Sequence, residues 1–236
     1  MSVTQNLSEV LNKIRASEKA ANREENSVKL LAVSKTKPVS DIIEAYNAGQ
    51  RLFGENYAKE CADKVKELTE AGYRDIEWHF IGPIQSNKTR LIAESCGWAE
   101  SIDRVHIAER LNNQRPDSMP PLNVCLQVNI SQEEQKQGIE ISQVLDLSNE
   151  ISKFPRLKLR GLMAIALKTD NRDILLESFR RMNEMFRTLQ QKYPDIDTLS
   201  LGMTHDMDEA IAAGSTEVRI GTAIFGARDY SKKASA

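Results

Sequence analysis

The chain has 236 residues, 40% hydrophobic and 28% charged, with a net charge of −2. That balance supplies a sizeable core and excludes the basic surface that non-specific nucleic-acid binding needs. There is no apolar run of roughly 20 residues and no signal-peptide core, and Cys61, Cys96 and Cys125 lack disulfide or zinc spacing, so a cytoplasmic protein is expected.

From Met1 to Ala20 charges and apolar residues mix at helical intervals. Beyond that, short β-rich runs alternate with longer amphipathic stretches. Strands are predicted over 29–34, 51–54, 76–81, 98–102, 123–129, 158–165, 198–201 and 217–220. Helices are predicted between them, over 39–48, 58–71, 86–95, 105–113, 142–153, 173–192 and 206–213. Gly49 and Gly214 stand where a left-handed cap is wanted, Pro194 follows another helix, and Ser86 is a candidate cap. Lysines from Lys59 to Lys66 alternate with acids at helical spacing and read as a solvated face.

Eight strands in βα alternation predict parallel pairing and, by count, a single-domain (β/α)8 barrel over residues 1–236. A doubly wound open sheet is the alternative, because strand count alone does not prove closure. In a barrel, chemistry gathers at the C-terminal strand ends, and phosphate binds after strands seven and eight. Lys35, Glu55-Asn56, His79, Asn129 and Met163 fall at or near such ends, as do Gly202-Met203-Thr204 and Gly221-Thr222.

A lysine amine with a depressed pKa can form a Schiff base with an aldehyde. Alone, Lys35 reads as a surface lysine beside Lys37; with the rest of the rim it reads as a nucleophile. Gly221-Thr222 offers unshielded N–H groups and a hydroxyl for phosphate, and Gly202-Met203-Thr204 offers a second such turn. Each could equally be a loop whose glycine serves the backbone, with Thr204 or Asp206 as a helix cap. A ligand with both aldehyde and phosphate is wanted, and pyridoxal 5'-phosphate (PLP) is the common one.

Arg219, two residues before Gly221, either faces the PLP ring nitrogen and keeps it unprotonated or is a structural arginine paired with Glu217. Asn56 either binds a ring substituent or caps the following helix, and a lone His79 is more often structural than catalytic. His205-Asp206 lacks a third ligand at metal spacing, so no metal is expected.

The segments AVSKTKP (32–38), FGENY (53–57), WHFIGPIQSNK (78–88), RGLMAI (160–165), LSLGM (199–203) and VRIGTAIFGARDY (218–230) resemble the pyridoxal-phosphate homeostasis protein family, the YggS-type relatives of the alanine racemase barrel. The resemblance implies a barrel of the alanine racemase N-terminal type, without the C-terminal β domain, holding PLP as an internal aldimine on Lys35. It implies that Arg219 partners the ring nitrogen. Gly221, Thr222, Met203 and Thr204 would hold the phosphate, and Asn56, His79 and Met163 would line the pocket. One departure stands out: Thr204-His205-Asp206 replaces the family's serine, any residue and aspartate.

Members of that family are regarded as PLP carriers acting in vitamin B6 balance, with no established turnover and with PLP-dependent apoenzymes as candidate partners. A PLP-dependent amino-acid racemase is the alternative, and a Schiff-base aldolase ranks behind both. The chain runs only six residues beyond Tyr230, which argues against the racemase's extra domain and for a monomer.

Overall fold

The computed structural model describes residues 2–131, 137–166, 169 and 171–227. Eight parallel strands close into a barrel in sequence order. They are β1 (Lys29–Val33), β2 (Leu52–Glu55), β3 (Glu77–Phe80), β4 (Trp98–Ile102), β5 (Leu122–Val128), β6 (Leu157–Ala164), β7 (Thr198–Ser200) and β8 (Glu217–Ile220). Closure is made by β1 against β8, with Leu31 beside Arg219 and Ala32 beside Ile220. Both faces of the sheet are covered, so every residue of β4 and β8 is buried, the charged Glu100, Glu217 and Arg219 included.

The outer layer consists of α1 (Val3–Ala20), α2 (Val39–Asn47), α3 (Ala58–Glu70), α4 (Thr89–Ser95), α5 (Val105–Gln114), α6 (Val144–Ile151), α7 (Arg172–Lys192) and α8 (Met207–Ala212), followed by the single turn α9 (Thr222–Phe225). In α7 the buried positions Leu175, Phe179, Met182, Phe186 and Leu189 recur every three or four residues, so one stripe meets the sheet. Gly49 and Gly214 take the expected left-handed cap, at φ +102° and +105°.

Three local expectations change. The helix predicted over 86–95 is a 3-10 turn at Ser86–Lys88 followed by α4. Ser86 caps nothing with its side chain; its carbonyl accepts from Thr89 Oγ1 and Arg110 Nε, which stabilises the tighter turn. The stretch from Lys59 to Lys66 is not wholly solvated, because Lys64 lies on the inner stripe of α3 with Cys61 and Leu68 and is 6% exposed. Two buried or half-buried carboxylates there compensate its charge.

The apolar core is divided. One large cluster fills the space between strands and helices, while Trp98, Cys125 and Met163 form a small one inside the barrel. The rest of the barrel interior is strongly polar: His79, Glu100, Ser200, Glu217 and Arg219 are all buried. Burying so many ionisable groups is costly unless they satisfy one another.

Candidate functional site

A cavity of about 460 Å³ opens at the C-terminal end of the barrel. Lys35, Asn56, Met163, Met203, Thr204, Arg219, Gly221 and Thr222 all line it, together with Val33, Lys37, Ile81, Ile165, His205, Ala223 and Gly226. The strand alternation places these side chains there: Met163 and Ile165 share one face of β6 and its extension, and Arg219 and Gly221 share one face of β8.

His79 is not brought to this cavity. Its side chain points into the barrel, but two residues N-terminal to Ile81, which takes the cavity position on that strand. The ring stacks flat on Trp98, with centroids 4.9 Å apart and planes 6° from parallel. Its Nδ1 lies 2.6 Å from Glu100 Oε1 and its Nε2 lies 3.3 Å from Glu77 Oε1. Burial opposes the imidazolium, but the hydrogen bonds to Glu100 and Glu77 outweigh it and push the pKa up to about 10.

Beneath Arg219 the protons can be counted. Ser200 Oγ lies 2.7 Å from Glu100 Oε2 and 2.9 Å from Glu217 Oε1. One hydroxyl hydrogen serves one carboxylate at a time, so the second contact is best made when that acid is protonated. Glu100 already accepts from His79, which holds it ionised against its burial. Burial and the Glu100 charge push the Glu217 pKa up to about 8, so of the two acids Glu217 is the one that favours the proton. One ligand atom from each of His79, Glu100 and Glu217 lies within 4.8 Å of the others. Hydrogen bonds from His79 to Glu100 and between Ser200 and the two acids account for that close approach.

Arg219 is anchored to Ser200 and to Ala164 O rather than to Glu217, with its guanidinium at the cavity floor. Asp206 also does not act as a helix cap through its side chain; its Oδ1 accepts from Met203 N at 2.6 Å and shapes the turn after β7. Gly221 approaches β1 so closely that a Cβ there would lie 3.1 Å from Val33 O. Lys37 Nζ donates to Phe225 O and Ala227 O, each at 2.7 Å, and ties the Lys35 segment to α9. Gly82 admits the backbone of Asn56, because a Cβ at 82 would sit 2.2 Å from Asn56 O. Asn56 caps no helix, since α3 begins after Tyr57.

The lining includes Lys35, Lys37, Arg219 and His205 and, among the described residues, no Asp or Glu. In a chain of net charge −2 that is a local concentration of positive charge suited to an anion. Asn56 Oδ1 is buried without a partner. An orphaned polar atom, an amine and an arginine around a cavity of this size fit a small aromatic phosphate with polar ring substituents.

Residues 6–229 match the family described as alanine racemase, N-terminal domain. The chain is 54% identical over 231 residues to the pyridoxal phosphate homeostasis protein of Escherichia coli (strain K12), covering 98% of this chain and 99% of that one. The chain belongs to the pyridoxal phosphate homeostasis protein family.

The structure of PipY, the COG0325 family member of Synechococcus elongatus PCC7942, with PLP bound superposes with a TM-score of 0.80 at 32% identity, over 95% of this chain and 100% of that one. An alanine racemase from Clostridium difficile 630 shares the fold at 13% identity and a TM-score of 0.74, over 94% of this chain and 57% of that one. The family resemblance and the closed barrel expected from the sequence are both found. Positions 228–230 of the last resembling segment lie outside the described residues.

Sequence reasoning missed the acid cluster below the cavity and the wall residues Ile81 and Ile165. The signal was available in part, since residues 217 and 219 share a strand face by period two. The pairing of Ser200 with Glu100 joins strands 100 residues apart and has no local trace.

Proposed function

We propose that this protein binds PLP in the cavity at the C-terminal end of its barrel and serves PLP homeostasis without committed turnover. The observation that carries the reading is the convergence of Lys35, Arg219 and Gly221-Thr222 on one cavity whose lining, among the described residues, holds no carboxylate. Bound there, the cofactor supplies an aldehyde, with which a primary amine condenses as water leaves, and a phosphate that needs donors. Lys35 is the covalent attachment point. Arg219, a permanent cation, keeps the ring nitrogen unprotonated. The N–H groups and hydroxyl at Gly221 and Thr222, with the Met203-Thr204 turn, hold the phosphate. Asn56 and Met163 line the ring's surroundings, while His79 acts from below through the acid cluster.

An unprotonated ring is a weak electron sink, which supports storage over carbanion chemistry. A racemase is the second reading, favoured by one observation: His205 places an imidazole on the cavity wall. Deuterium incorporation at the α-carbon of an amino acid in D2O separates the two. The first reading also includes a monomeric, cytoplasmic protein that exchanges PLP with PLP-dependent apoenzymes, tested by recovery of an apoenzyme's activity. That no helix among the described residues is long and apolar enough to cross a membrane accords with it.

The deciding experiment is the absorption spectrum with PLP, before and after borohydride, followed by peptide mass mapping. A band trapped by reduction on Lys35 is expected. No band and no adduct would overturn the proposal.

A further inference from the structure

Lys35 sits between two residues whose backbones are pinned by the neighbouring strand β2 and by α3. Ser34 donates its N–H to Gly54 O at 3.0 Å and its hydroxyl to Glu55 Oε1 at 2.7 Å. Thr36 has φ +63°, a left-handed conformation that a β-branched residue seldom takes. Its N–H is held by Glu60 Oε1 at 2.6 Å.

Both carboxylates converge on Lys64. Its Nζ lies 2.8 Å from Glu55 Oε1, 2.7 Å from Glu60 Oε1 and 2.9 Å from Ser34 O, which uses all three ammonium donors. None of these three charged residues lines the cavity. The cluster is poorly suited to stability alone. Glu55 Oε2 is buried without a partner, and burial raises the Glu55 pKa despite Lys64. A buried ion pair is weak evidence for stability, because well-packed apolar residues often do as well; what it supplies is a fixed geometry. Strained backbone persists only where its surroundings over-determine it. Here the strained residue directly follows Lys35.

We infer that Lys64, through Glu55 and Glu60, is a positioning residue that holds Thr36 in its left-handed turn and thereby aims the Lys35 amine into the cavity. The inference rests on the reading that Lys35 is the attachment point for PLP.

The test uses two ligands on the full chain. Borohydride-trapped PLP on Lys35 reads the aim of the amine, while pyridoxine 5'-phosphate, which lacks the aldehyde, reads only ring and phosphate contacts. In Lys64→Met and Glu60→Ala, the equilibrium extent of Lys35 attachment is expected to fall about tenfold. Pyridoxine 5'-phosphate affinity is expected to stay within about twofold, because no contact to ring or phosphate is removed. Adding Thr36→Gly to Glu60→Ala is expected to restore attachment, since glycine takes the left-handed turn without strain. Glu60 is half-buried, so its variant decides the matter if Lys64→Met does not fold. Unchanged attachment in the folded variants, or parallel loss of both ligands, would overturn the positioning role. A wild-type protein that binds pyridoxine 5'-phosphate but gives no Lys35 adduct would instead sink the attachment reading, and the clamp with it.

Discussion

Arg219 places Nη1 on both oxygens of Ser200, 2.7 Å from the carbonyl and 2.8 Å from the hydroxyl. With Nη2 on Ala164 O at 2.8 Å, the guanidinium is locked by strands on its own side of the barrel. Ser200 is thus the joint between the cavity floor and the acids below it. Ser200→Ala leaves Glu217 and Glu100 without their shared hydroxyl and takes one acceptor from a buried cation. A loss of about 1–3 kcal/mol is expected from urea unfolding. A loss under about 0.5 kcal/mol, within the range of ordinary surface substitutions, would show that the hydroxyl joins nothing.

The same cluster sets a pH dependence. The Glu217 pKa rises from 4.5 to about 8 and that of His79 from 6.5 to about 10 on folding. Between each pair of values the folded protein holds a proton that the unfolded chain has released, so stability falls as pH rises. His79 adds stability that is complete below pH 6.5 and lost toward pH 10. Glu217→Gln, which resembles the protonated acid, should fold normally and show a smaller loss of unfolding midpoint than wild type between pH 5 and 8. Equal losses would mean that Glu217 is ionised in the native protein.

Lys35→Ala should remove covalent attachment of PLP while leaving the phosphate donors at Gly221 and Thr222 in place. Reversible binding that survives dialysis poorly, with no borohydride adduct at any lysine of the cavity, is the expected result. An undiminished adduct, mapped to Lys37 for instance, would take Lys35 out of its role.

Thr222→Ala removes one hydroxyl from the cavity wall and keeps the backbone N–H. Hydrogen bonds to charged groups are worth about 1.5–3 kcal/mol, so PLP and pyridoxine 5'-phosphate should both bind at least about tenfold more weakly. Affinity unchanged for both by titration calorimetry would leave the phosphate to the backbone donors alone.

Much of this molecule is legible along the chain, for local reasons. Every strand end lies within one residue of its predicted place, because each short β-rich run is punctuated by turn residues. Lys35, Asn56, Met163, Met203, Thr204, Arg219, Gly221 and Thr222 gather on one cavity because strand ends in a closed barrel share a rim. What the strand positions did not settle was depth: His79 stands two residues short of the rim, and on a strand that distance is a whole layer.

The sequence by itself determined the order of elements and the family, both of which are written in short-range periodicity and ordered motifs. Only the tertiary structure decided which charges are inside. Lys64 has the pattern of a surface lysine among acids, and Glu100, Ser200 and Glu217 are ordinary residues of three different strands. The burial of Glu100, Ser200 and Glu217 depends on partners far apart in the chain, brought within hydrogen-bond distance by barrel closure, whereas Lys64 is buried by the packing of α3 beside Glu55 and Glu60. A charge is tolerated in the interior only when such partners arrive together, and no local pattern records that.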